Sequence, residues 1–501
     1  MGIVNFFKFT VIFLVVSVIS NVYAANSKGV VDAVVYSGSE YSESTEKKIT
    51  EFLDKGDVNL NSQIGNRSLF SFIAQRAKTP DLIKKALDKG ADPNLKGVYG
   101  FTPFMIAAAL RESKFIEPFL SSGKVDFTLK ADNQENALLF AESNDSDKTA
   151  IVKILESKPP VEAINSPGGD GDYLIFRLFR RNSLYSKFYP HQEQAFRLLG
   201  ELKADFNLIG KDGVSVLQKT LGDSSRSLSF SPENVELLLN CGAKVNTKNK
   251  YGDSALHFIL DYPIDNEKNT NLLKLFLSKG EGLEVRDKDG NTPLLRLFAL
   301  LKGNRSESSL MNVLNILLEH NAKTDAVNNS GLNVMMAAAA TGCSKCVIRL
   351  LEANAPLDYD NSLNPILFYA LKGEMRNEGI EALINAGADV NASNSSGMTP
   401  LMSALQLSLE SGFIDSLIKH GADVNKSDND GHTPLMVMGL YDPKTSIVRS
   451  LLKAGADPSV KDKKGKSALD YLRSSVMYSH PKYTKECHEV EAYISGEKNY
   501  E

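Results

Sequence analysis

The pentapeptide Gly-Ala-Asp-Val-Asn stands at 387–391 and again at 421–425, with near copies GADPN at 90–94 and GADPS at 455–459. Gly387, Gly421 and Gly455 follow one another at intervals of 34 residues. A polar turn returning at a fixed interval of roughly 20–50 residues is the mark of stacked supersecondary units. The register can be followed from the residue that opens each repeat: Gly65, Gly100, Gln134, Gly171, Gly213, Gly252, Gly290, Gly331, Ser362, Gly397, Gly431 and Gly465. Steps between openers run from 31 to 42 residues, so almost the whole chain is committed to one pattern.

Each stretch of the repeat has a chemical reason. In GFTPF (100–104), GNTPL (290–294), GMTPL (397–401) and GHTPL (431–435) the threonine hydroxyl can cap a helix. Proline then takes the first helical position, where a missing N–H is harmless. A short helix rich in small and apolar residues is expected next, as in MIAAAL (105–110) and VMMAAAA (334–340), open to close approach by a neighbour. A second helix follows with apolar residues at helical spacing: Ile380, Leu383 and Ile384 in one repeat, Ile447, Leu451 and Leu452 in another. It stops at Gly387 or Gly455, where glycine enters a left-handed turn without a Cβ clash. Asp, Asn and Pro turn the chain toward the next repeat.

These residues resemble the ankyrin repeat, whose pattern runs G-x-T-P-L-H-x-A-A, then a V-x-x-L-L helix, then G-A-D-V-N. The resemblance covers about 65–501 and is strongest at 252–464, with His257 of SALHFIL (254–260) as the histidine of the pattern. DYLIF (172–176) and VSVLQ (214–218) lack both Thr and Pro, so distorted repeats are expected there. The resemblance implies an all-α, ankyrin-like solenoid of about twelve helix-turn-helix units with short finger turns. Its concave side would be lined by the fingers and first helices. The expected organisation is a signal peptide at 1–24, a linker and degenerate capping repeat at 25–64, the array at 65–464, and a capping repeat with a polar tail at 465–501. Insertions fall between about 171 and 330, for instance at 180–192 and 300–309. Tolerated surface loops are the plain expectation, and a recruited binding edge the alternative.

The first 24 residues place Lys8 before an apolar run from Phe9 to Ile19 and end in Val22-Tyr23-Ala24, with small residues at the −3 and −1 positions of a signal-peptidase site. The run is shorter than the roughly 20 residues that span a bilayer. Export is therefore expected, with membrane contact only through an uncleaved leader. Asn-x-Ser triplets at Asn66, Asn304 and Asn394 lie in or beside fingers, where a glycan would obstruct stacking, which favours a bacterial protein. Lysine and arginine number 57 against 61 acidic residues, a net charge of −4 that gives no general attraction to nucleic acid or anionic membrane. Four cysteines exclude a disulfide-built scaffold.

In ankyrin-like repeats the residues four, seven and eight after the threonine position face the concave side. That count gives Arg177, Arg180 and Arg181 in one repeat, Lys219 in the next, then Phe258, Asp261 and Tyr262, then Arg296 and Leu300. Further along it gives Phe368 and Leu371, then Val437, Leu440 and Tyr441. A basic patch flanked by aromatic and apolar positions would suit a protein or peptide of acidic character. The alternative is that longer repeats rotate these helices and bury part of the set. Lys187, Phe188 and Tyr189 would extend the cluster. Nucleic acid is not expected, because one patch falls short of a phosphate-binding face.

GCSKC (342–346) is the one CxxC. Structural cysteines at the start of a second helix are the expected reading, a redox pair the alternative. His480, Cys487 and His488 match no zinc spacing, and His257 reads as a hydrogen-bonding structural residue. No G-x-S-x-G elbow, phosphate-binding glycine loop or H-E-x-x-H helix is present, and the repeats leave no stretch for a catalytic domain. The expected function is a non-enzymatic scaffold, monomeric and without cofactor or metal. It would hold an unidentified protein or peptide on its concave face, in the periplasm or outside the cell. A secreted effector that occupies a host protein surface is the alternative, and a CxxC redox protein a third reading.

Overall fold

The residues that open the repeats share a backbone conformation that sets the register. Every opening glycine has positive φ, between 63° at Gly65 and 90° at Gly431. Gln134 does the same at 64°, a geometry disfavoured by about 1–2 kcal/mol for a residue with a Cβ. Ser362 lies outside the described residues. Two residues after most openers a side chain caps the first helix; Thr433 of GHTPL departs from this expectation, its hydroxyl being buried without a hydrogen-bond partner. Thr102 accepts the Met105 N–H and Thr399 that of Met402. Ser215, Ser254 and Asn333 act likewise where the Thr-Pro pair is missing, so VSVLQ keeps its helix start through a different hydroxyl.

The computed structural model describes residues 42–56, 58–144, 148–179, 187–221, 230–262, 264, 266–279, 282–299, 306–357, 365–409, 411–441, 444–475 and 484–498. The chain forms two compact units, Met1–Lys250 and Tyr251–Glu501. In the first, the helices are α1 (Glu43–Lys55), α2 (Leu69–Arg76), α3 (Pro80–Asp88), α4 (Pro103–Leu110), α5 (Glu117–Ser121) and α6 (Ala137–Glu142). Then come α7 (Ala150–Glu156), the single turn α8 (Val161–Ile164), α9 (Leu174–Phe179), α10 (Pro190–Glu201), α11 (Val216–Thr220) and α12 (Pro232–Asn240). One finger is an antiparallel hairpin of β1 (Gln63–Ile64) and β2 (Arg67–Ser68). First helices stack on first helices, α2 on α4, α4 on α6, α6 on α9 and α9 on α11. Second helices stack separately, α1 on α3, α3 on α5, α7 on α10 and α10 on α12.

The second unit holds α13 (Ala255–Leu260), α14 (Glu267–Ser278), α15 (Pro293–Ala299), α16 (Glu307–Glu319), α17 (Val334–Ala340), α18 (Ser344–Glu352) and α19 (Ile366–Lys372). It continues with α20 (Asn377–Asn385), α21 (Pro400–Gln406), α22 (Ser411–Lys419), α23 (Pro434–Tyr441), α24 (Thr445–Lys453), α25 (Ala468–Ser474) and α26 (Thr484–Ile494). Each odd-numbered helix packs on the next odd one, and from α16 onward each even helix packs on the next even one. Small residues permit that spacing. A Cβ added to Gly439 of α23 would lie 3.2 Å from the Ala468 carbonyl oxygen of α25. Because each hairpin buries its apolar face only against neighbours, stability is a sum of nearest-neighbour terms.

The recurring GADVN now has a mechanism. Asp423 Oδ1 accepts the N–H of Asn425 two residues on, which fixes the turn after α22. The side chain of Asn425 then bridges to the following repeat, its Nδ2 donating to the Gly455 carbonyl at 2.8 Å and its Oδ1 accepting the Asp457 N–H at 2.8 Å. Asn391 makes the same pair with Gly421 and Asp423. In the first unit Asn61 bridges to Gly90 and Asp92, and Asn94 to Lys124 and Asp126. An amide carries a donor and an acceptor on one planar group, so asparagine alone satisfies both backbone partners of the next turn.

At the two ends the structure refines the expectation. In α1, buried Glu46 accepts hydrogen bonds from the N–H groups of Lys78 and Thr79 and from the Thr79 hydroxyl, so it caps α3 from the preceding repeat. The polar tail expected beyond 475 contains α26, which buries Cys487, Val490, Tyr493 and Ile494. The leader at 1–24 lies outside the described residues. Among the described residues no helix is long and apolar enough to cross a membrane.

Candidate functional site

Among the described residues, the cations Arg177, Lys219 and Arg296 singled out from sequence are matched inside the chain. Arg177 is only 6 % exposed, and its Nη2 bonds Glu135 at 2.7 Å and Asp170 at 2.9 Å. Burial pulls its pKa down, but the bonds and charges of Glu135 and Asp170 hold it above the ordinary arginine value. Lys219 pairs with Asp212 and reaches over the Phe176 ring. Arg296 bonds three carboxylates: Asp261 through two hydrogen bonds of 2.8 Å, Asp253 at 3.0 Å and Asp287 at 2.7 Å. Burial lowers its pKa and these partners raise it past the usual value. Arg180, Arg181 and Leu300 lie outside the described residues.

The described members of the expected basic patch are therefore neutralised, and the attraction for an acidic ligand that rested on them is withdrawn. The inserted stretch at 187–189 departs from expectation in the same way. Lys187 faces Glu233 at 3.1 Å, while Phe188 is buried against Phe179 and Phe196. Tyr189 stays exposed and stacks on His191. Phe258 and Tyr262 are half-buried and lie 5.6 Å apart, with exposed Asp261 between them in sequence and paired to Arg296.

A different part of the same count remains open. Between α19 and α21 lies a recess of about 350 Å³ lined by Phe368, Leu371, Lys372, Glu374, Ser403, Gln406, Leu407 and Leu409. All but Glu374 and Leu409 are the residues four, seven and eight after positions 364 and 399, so two neighbouring repeats contribute equivalent positions with different side chains. Leu407 is 54 % exposed and Tyr441 on α23 is 46 % exposed. The Gln406 amide donates to the Tyr441 hydroxyl at 3.1 Å and joins the two positions. Ser403, Gln406 and Leu407 were not singled out from sequence, although counting on from Thr399 reaches them. Val437 is buried in α23 and Leu440 half-buried.

His257 is fully buried. Its Nε2 donates to the Asn291 carbonyl at 3.0 Å, which leaves Nδ1 to accept from the Ser254 hydroxyl at 2.8 Å. Burial depresses its pKa, so the folded protein holds it neutral. The unfolded state then binds the extra proton as pH falls below about 6.5, and stability falls with it. Urea unfolding at pH 5.5 and 7.5 is expected to show a smaller stability loss on acidification in His257→Gln than in the parent.

Cys343 and Cys346 are joined by a disulfide. At a finger turn, Asp428, Asp430 and His432 bring ligand atoms within 4.8 Å of one another. Internal bonds already engage this group. Asp428 accepts the N–H groups of Asp430 and His432 and faces His432 Nδ1 at 2.9 Å. The Tyr471 hydroxyl, pushed up to about 12 by its bond to Asp462, faces His432 Nε2 at 3.2 Å. Cys487 is buried in α26, His488 is exposed, and His480 lies outside the described residues.

The ankyrin family, described as ankyrin repeats in three copies, matches residues 260–364, 305–394 and 367–462. Curated proteins give no match. Among solved structures the chain is similar to the human ASB11 ankyrin repeat domain, at 21 % identity and TM-score 0.40 over 49 % of this chain and 99 % of that one. It is similar to the Bcl-3 ankyrin repeat domain at 22 % identity and TM-score 0.35, over 49 % and 100 %. A third likeness is to the Bd0816 predatory endopeptidase from Bdellovibrio bacteriovorus in complex with immunity protein Bd3460, at 25 % identity and TM-score 0.32, over 38 % and 94 %. Ankyrin repeats generally mediate protein–protein interaction and are typically non-enzymatic. With the family matched over 260–462 and like helices stacked on like there, residues 260–462 of this chain are ankyrin repeats.

Proposed function

We propose that this chain is an exported, non-enzymatic scaffold that holds a protein or peptide on the first-helix face of the unit 251–501, at the recess between α19 and α21. The observation that supports this reading is the recess itself: the same three positions of two consecutive repeats line it, with Lys372, Gln406 and Leu407 exposed and Phe368 and Ser403 half-buried. A partner that inserts an aliphatic or aromatic side chain beside Leu407 and Tyr441 gains burial there, while Gln406 and Ser403 fix polar groups at its edge. The ligand suited to this surface is apolar where it meets Leu407, with Lys372 and Glu374 offering one charge of each sign in the same lining.

The leader-like sequence at 1–24 supports delivery to the periplasm or the medium. A bacterial source and a monomeric state complete the reading. The double variant Leu407→Ala/Tyr441→Ala removes two exposed side chains and is expected to fold normally. Used as bait against an envelope extract, it is expected to recover the parent's partner at least about tenfold less well. Equal recovery by both baits removes the recess from consideration. Cell fractionation separates a resident envelope protein from a released effector, since protein found in the medium alone favours the latter.

A further inference from the structure

We propose that Cys343 and Cys346 form an oxidation-installed cap of α18, a structural cross-link rather than an exchange site, so that this repeat matures where thiols are oxidised. Before three other second helices the capping residue carries an oxygen that accepts the N–H three residues on. Ser231 does so for Asn234, Asn266 for Asn269 and Ser306 for Ser309. Cys343 occupies that place before α18, with its Sγ 3.2 Å from the Cys346 nitrogen. Sulfur is a weak acceptor, so a thiol there caps poorly. The same two positions are instead joined covalently, with their Cα atoms 5.2 Å apart, a separation that suits a disulfide.

The surroundings favour permanence over exchange. Cys343 is 3 % exposed and Cys346 0 %. Thiol–disulfide exchange needs a thiolate to reach one sulfur, and burial denies it that path. Ser344, between them, is fully buried with the next repeat close by: a Cβ added to Gly379 would lie 2.8 Å from its Oγ and 2.6 Å from Met375 Sδ. In forming the bond, each thiol gives up one proton and one electron. The two electrons reduce the disulfide of a thiol–disulfide oxidant, which leaves as a dithiol after a mixed-disulfide step. Since neither sulfur is open once α18 is packed, oxidation precedes docking of this hairpin. The proposal is independent of the binding reading.

Full-length protein from an oxidising compartment, denatured without reductant and alkylated, is expected to take two labels, at Cys241 and Cys487. After reduction it is expected to take four. A small phosphine should reduce the native protein at least about tenfold more slowly than the denatured chain. Reduction should then speed amide exchange over 344–352 by about tenfold. Cys343→Ser/Cys346→Val restores an oxygen cap with an apolar third residue, and its exchange is expected to ignore reductant. Four labels without reductant, rapid reduction of the native protein, or unchanged exchange after confirmed reduction each overturns the proposal.

Discussion

Replacing Arg296 by methionine is expected to destabilise the unit 251–501 by about 3–5 kcal/mol, the usual result of removing one partner from a buried ion network. Methionine preserves much of the packing of the aliphatic stem, so the loss isolates the guanidinium. That group is the shared partner of Asp253, Asp261 and Asp287, and the Asp287 side chain is fully buried. Burial pushes the Asp287 carboxyl up, but bonds from Asn291 and Arg296 carry it below the ordinary carboxylate value. Its contribution is therefore present above about pH 4 and is lost as pH falls through the lower folded value. Without Arg296 much of that support is gone, so the variant should lose less further stability on acidification than the parent. Adding Asp287→Asn to Arg296→Met removes the most buried stranded charge and is expected to recover part of the loss. Urea unfolding with amide exchange mapped over 252–299 reads both effects. A single variant as stable as the parent would show that the three carboxylates are adequately solvated.

Arg296 also marks the limit of what the sequence discloses. The repeat openers, the Thr and Ser caps and the glycine stops are local features, each legible within a few residues, and the structure places them in register from Gly65 to Gly465. The position of Arg296 on the first-helix face was equally legible. Its partners were not, because Asp253 and Asp261 belong to the preceding repeat and meet Arg296 only when α13 and α15 stack. Arg177 repeats the lesson, with Glu135 supplied 42 residues upstream. Counting positions shows where a side chain starts, whereas neutralisation depends on the next layer. The recess at Leu407 is lined from two repeats, so it forms only when α19 and α21 stack. The disulfide pair could be seen as a CxxC, but its closure and burial required the placement of both cysteines at the start of α18.

Substituting Val490 by aspartate is expected to undo α26 at a cost of about 3–5 kcal/mol, because it places a carboxylate at a position with no solvent access. From composition this stretch reads as a polar tail, since Thr484, Lys485, Glu486, His488, Glu489 and Glu491 outnumber its five apolar residues. Periodicity overrides composition here. Cys487, Val490, Tyr493 and Ile494 recur at spacings of three, three and one, forming a narrow stripe that packs on α24 and α25. The charged remainder is arranged around it, with Glu491 bonded to Arg473 and Glu489 to Lys498. An aspartate in the stripe either takes up a proton or leaves with the helix, and both routes remove packing from α24 and α25. In a chain of nearest-neighbour interfaces the damage should stay local. Amide exchange is expected to rise over 484–498 and in α24 and α25, while α19 and α21 keep parental protection and the recess keeps its partner. Glu489→Asp, on the half-buried side of the same helix, should leave exchange almost unchanged. Parental protection across 484–498 in the Val490 variant would show that α26 contributes little to the fold.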